Sequence, residues 1–96
     1  MHVLALDLRL RFPQAQSLKE KRSMVRPILD RLPKLGVAVS EVADNDDVKA
    51  ARLGVAVVSG TARQANEIMD EAERLVWSRP DLEVVSADRT WMELEQ

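Results

Sequence analysis
The chain has 96 residues, no cysteine and a formal net charge of −2, which suits one domain over residues 1–96 and excludes a disulfide framework or a thiolate metal site. The start, Met1-His2-Val3-Leu4-Ala5-Leu6-Asp7, lacks the basic region of a secretory signal, and no apolar run nears the roughly 20 residues that span a bilayer, so a soluble cytoplasmic protein without a membrane partner is expected. Residues 1–37 carry eight Lys/Arg against three Asp/Glu and residues 38–96 carry six against thirteen, an asymmetry that fits a nucleic-acid-facing side or self-association through opposite faces, unless the fold intermixes the halves.

Val3 to Phe12 alternates strictly, with Leu4, Leu6, Leu8, Leu10 and Phe12 on one side and Asp7, Arg9 and Arg11 on the other. This pattern predicts a strand with one buried face, ended by Pro13. Ser17 predicts a helix N-cap, with Glu20 reaching back to the Ser17 amide as in a capping box. Leu18, Val25, Ile28, Leu29 and Leu32 then recur at helical spacing, and Pro33 and Gly36 close the element. Pro27 falls inside this helix and predicts a kink or tightened turn near Ser23, whose carbonyl its ring crowds.

Val37 to Val42 reads as a second strand and Asp44-Asn45-Asp46-Asp47 as a turn. Arg52 to Val58 is nearly continuous in apolar residues and predicts a central strand. Thr61 and Gln64 suggest a second capping box, followed by the stripe Ala65, Ile68, Met69, Ala72, Leu75 and Val76. Pro80 stops that helix, and Leu82 to about Met92 completes the chain as a fourth strand. The order β-α-β-β-α-β is that of an α+β, ferredoxin-like fold, a four-stranded antiparallel sheet with both helices on one face.

Such folds host many activities, so function has to come from residues. An RNA-recognition motif stacks bases on strand aromatics. Here the open face of the first strand offers Asp7, Arg9 and Arg11. The third offers Gly54, Ala56 and Val58, or in the other phase Leu53, Val55 and Val57. The turn Pro13-Gln14-Ala15-Gln16 has no glycine to bring the backbone close to an anion. His2 is the only histidine and has no triad partner in the sequence. Asp44, Asp46 and Asp47 do not make a calcium loop, because Lys49 and Val55 stand where a glycine and a distal glutamate are needed. No catalytic residue, metal ligand or cofactor is therefore expected. Trp77 and Trp91 read as packing or interface residues.

Ser17-Leu18-Lys19-Glu20-Lys21-Arg22-Ser23 packs three cations into four residues. On a helical projection Lys19, Arg22 and Arg26 share a solvent side, while Lys21 turns toward the apolar stripe, either to snorkel or to meet a carboxylate. This segment, with Glu41-Val42 and Leu53-Gly54-Val55-Ala56-Val57-Val58-Ser59, resembles the YlxP-like family of small bacterial proteins over essentially the whole chain. The resemblance implies a ferredoxin-like fold and no assigned function. Genes of that family often lie beside those for translation initiation and ribosome maturation, which implies an association with RNA or the ribosome. Val48 and Ala50 stand where that family carries a tryptophan and an arginine.

Two functions are thus expected. In the first, an accessory protein contacts RNA phosphates through Lys19, Lys21, Arg22 and Arg26, with Arg9 and Arg11. In the second, a homodimeric interaction module uses the uncovered sheet face around Val3, Ala5, Ala38, Gly54 or Ala56, and Val85 or Ala87.

Overall fold
The structure, a computed structural model, describes residues 1–94. Strand β1 runs His2–Arg11, helix α1 Leu18–Arg31, a 3₁₀ turn Leu32–Leu35, β2 Ala38–Ala43, β3 Ala50–Ser59, α2 Ala62–Trp77 and β4 Glu83–Met92. The sheet order is β2-β3-β1-β4, with every neighbouring pair antiparallel, which is the ferredoxin-like arrangement.

The alternation of β1 decides how the sheet sits. Leu4, Leu6, Leu8 and Leu10 are all at most 2% exposed and stack beneath the helices, each contributing roughly 1.5–3 kcal/mol by leaving water. Register places Val57, Val55, Leu53 and Ala51 of β3 beside them. The third strand is therefore in the phase that turns Gly54, Ala56 and Val58 to the bare side. Val25, Ile28 and Leu32 from α1 and its 3₁₀ extension, with Ala65, Met69, Ala72 and Val76 from α2, close the core.

The capping differs in detail from expectation. Ser17 Oγ accepts from the Glu20 amide at 3.1 Å, but the Glu20 carboxylate reaches past the Ser17 amide to accept from Gln16 N–H at 3.1 Å. Thr61 Oγ1 likewise accepts from the Gln64 amide, while the Gln64 side chain accepts from the Ser59 hydroxyl, whose oxygen in turn accepts from Thr61 N–H. Helix α1 passes through Pro27 unbroken, because only the hydrogen bond to the Ser23 carbonyl is lost. It then tightens into the 3₁₀ turn and ends at Gly36, whose φ of +94° is the left-handed conformation glycine adopts most readily.

Candidate functional site
Lys19, Arg22 and Arg26 stand exposed along the outer side of α1. Helical spacing puts them on one stripe, and Arg31 in the last turn of α1 and Lys34 in the 3₁₀ turn lie further along the same side of the element. Together with Ser23, Pro27 and Asp30 they line an open groove of about 670 Å³. Among the described residues none of these five cations lies within salt-bridge distance of a carboxylate, whereas Arg52, Arg63, Arg79 and Arg89 are each paired. Asp30 is the groove's one acidic lining residue. Lys19 and Arg22 lie near the start of α1, where positive charge opposes the helix dipole. Arg31 and Lys34 were not singled out from sequence; the signal available was the positive balance of residues 1–37.

Lys21 does not belong to this surface. It is 1% exposed and donates from Nζ to the carbonyls of Asp44 at 2.8 Å, Ala50 at 3.0 Å and Asn45 at 3.4 Å. It neither snorkels nor meets a carboxylate. The three ammonium protons match three carbonyl acceptors, which is how a buried ammonium escapes the cost of lost hydration. The β2–β3 loop is bent to present them, and Asp44 holds a left-handed φ of 64°. Lys49 makes the reciprocal tie, donating to the carbonyls of Pro13 at 2.8 Å and Ala15 at 2.9 Å. The Asp44–Asp47 segment is thus a turn stapled to the start of α1, and Asp47 Oδ1 accepts from Lys49 N–H. Among the described residues no group of acidic or histidine side chains is arranged to hold a metal.

Arg9 and Arg11 lie on the opposite side of the molecule from the α1 cations. They share the bare sheet face with Asp7, Arg52, Asp88 and Glu83, and register sets Arg11 beside Glu83, Arg9 beside Arg52 and Asp7 beside Asp88. Two like-charge neighbours would repel. The clash is relieved on the diagonal, where Arg52 donates to Asp7 through Nε at 2.9 Å and Nη2 at 2.7 Å. The Arg52 hydrogen bonds hold the Asp7 carboxyl below the usual carboxylate range. Because the folded-state pKa is the lower one, this stabilisation is present at neutral pH and disappears as pH falls through the folded value. Urea unfolding between pH 7 and 2 is expected to show a steeper acid loss in the native protein than in Asp7→Asn. Identical slopes would show that the pair contributes nothing to the pH dependence.

The rest of the bare face is mostly small and apolar, interrupted by Ser40, Ser86 and Thr90. Val3, Val58 and Met92 form one cross-strand row, followed by Ala5, Ala56 and Ala38. Gly54 has no side chain to hold Val42 away, and a Cβ there would sit 3.0 Å from Val42 Cγ1. The register of β4 shifts by one residue, leaving Val85 unpaired and 57% exposed, while Ala87 turns toward the helices beside Leu8. Trp91 meets the His2 ring edge-on with centroids 6.3 Å apart. Trp77 stays 61% exposed, outside the core.

This architecture, two helices over one face of an antiparallel sheet, defines a small ferredoxin-like protein. The chain belongs to DUF503, a family of proteins of unknown function whose pattern matches residues 3–89. No curated protein matches it. Among solved structures it is similar to the de novo designed protein Foldit4, at 13% identity over 92% of this chain and 96% of that one, with a TM-score of 0.60. A dimeric ferredoxin-like protein from an uncultured marine organism is 10% identical over all of both chains, with a TM-score of 0.55. The designed ferredoxin-fold protein LFR1 1 is 15% identical over 98% of this chain and 88% of that one, with a TM-score of 0.52. At these identities the likeness concerns the fold alone. Among the described residues no helix is long and apolar enough to cross a membrane.

Proposed function
We propose that the protein is a non-enzymatic accessory factor that holds RNA phosphates along the outer side of α1. The observation that carries this reading is the groove lined by Lys19, Arg22, Arg26, Arg31 and Lys34, which face no carboxylate within salt-bridge distance among the described residues of a chain whose net charge is negative. Cations left unpaired on one surface are free to displace the counterions of a polyanion. Lys19 to Lys34 spans about 22 Å at helical rise, long enough to meet several successive phosphates of one strand. The YlxP-like resemblance adds the ribosome as the setting in which such RNA is met. The bare sheet face contributes little to this activity, since its arginines stand among carboxylates.

Fluorescence anisotropy of labelled RNA against salt concentration tests the proposal. With five phosphate contacts, log K is expected to fall against log salt with a slope near −3.5 for a single strand or −4.5 for a duplex. Binding that ignores salt, or no binding at 50 mM salt, would sink it.

A further inference from the structure
We infer that the bare face of the sheet is the docking surface for a second copy of this chain, a property separate from the α1 groove. The face is a poor match for water at one end and for a charged partner at the other. Val58 is 61% exposed and Met92 56%; they flank Val3 in the end row of the face, and the row of Ala5, Ala56 and Ala38 continues it. Such a contiguous apolar patch on a small soluble protein marks an interaction site. At the other end, Asp7, Asp88 and Glu83 balance Arg9, Arg11 and Arg52, so the face is electrically neutral. A neutral surface gives a polyanion or polycation no net attraction, whereas two copies meet without net repulsion and can pair their mixed charges.

Size limits how firmly a second copy is held. Strands of ten residues on β1, β3 and β4 and six on β2, at about 3.3 Å per residue and 4.8 Å between strands, make a face of roughly 550–600 Å². Stable interfaces bury about 800 Å² per partner. Covering this face alone therefore puts the contact at the small, transient end of interfaces rather than among permanent dimers. Both helices lie on the far side of each sheet, so the pair would turn its two α1 grooves outward in opposite directions and leave them free. The RNA titration and the self-association measurement can then fail independently.

Sedimentation equilibrium from about 10 µM to 1 mM is the test. The native chain is expected to shift from monomer to dimer across this range. Val58→Lys and Met92→Lys, both at positions already exposed in the monomer, are each expected to weaken the dimer at least tenfold while circular dichroism shows an unchanged fold. Trp77→Ser, on the outer side of α2, is expected to leave it intact. A monomer throughout the range would overturn the inference. So would a dimer indifferent to Val58→Lys and Met92→Lys, or one lost in Trp77→Ser, which would place the contact elsewhere or give the face to a different protein.

Discussion

Lys21→Met is expected to lower stability by about 3 kcal/mol, a fall in Tm of roughly 10–20 °C for a domain of this size. Methionine preserves most of the apolar stem, so the core beneath α1 keeps its packing. What disappears is the ammonium that donates to the carbonyls of Asp44, Asn45 and Ala50. Those carbonyls have been bent toward a buried point and would be left facing a thioether. The loop also loses the contact that offsets the left-handed Asp44 backbone. Lys19→Met is the matched control: Lys19 is exposed and makes no ion pair among the described residues, so its replacement is expected to change stability by less than about 0.5 kcal/mol. Thermal and urea unfolding of the two variants would settle the point. Equal small losses would show that water serves the loop carbonyls as well as Lys21 does.

The triple replacement Lys19→Glu, Arg22→Glu and Arg26→Glu is expected to have the opposite profile, with RNA binding lost and the fold intact. Removing three phosphate contacts reduces the salt slope by about 2 for single-stranded RNA and nearly 3 for duplex. At 50 mM salt the affinity should fall on the order of 100-fold or more, since three repulsions replace three attractions. All three positions are exposed. Glutamates at 19 and 22 agree with the helix dipole, while those at 22 and 26 repel each other and Asp30 at i,i+4 spacing, so Tm is expected to change by only a few degrees. Anisotropy titrations at several salt concentrations, read beside thermal unfolding, separate the two effects. A triple variant that keeps native affinity and slope would remove α1 from the binding surface.

These two predictions divide the segment Ser17 through Ser23 by what each residue touches. Ser17 caps the helix, and Glu20 fastens the preceding amide. Lys21 anchors the β2–β3 loop, and Lys19 and Arg22 face water. Sequence periodicity already separated Lys21 from its neighbours, because about 100° per residue turns it inward. Its partners were not legible there. They are backbone carbonyls some 23 to 29 residues away, and a carbonyl has no residue-type signature. The Lys49 tie to Pro13 and Ala15 was hidden for the same reason. Arg9 and Arg11 enter the sequence reading as an extension of the local cation density of α1. Strand alternation places them on the face that the helices leave bare, away from the outer side of α1.

Local pattern sufficed for the element order and the buried side of β1, since a strict period of two leaves only one way to bury five large side chains. It also sufficed for both helix starts, where a hydroxyl must meet an orphan amide, and for the general form of the fold. Pairing register is a long-range property, and it alone decided that Arg52 reaches Asp7, that Asp88 stands beside Asp7, and that Ala87 rather than Val85 faces the helices. The tertiary structure likewise decided which cations remain free. An arginine's freedom depends on whether another element brings a carboxylate within reach, and no such element lies over the outer side of α1 within salt-bridge distance of these cations among the described residues.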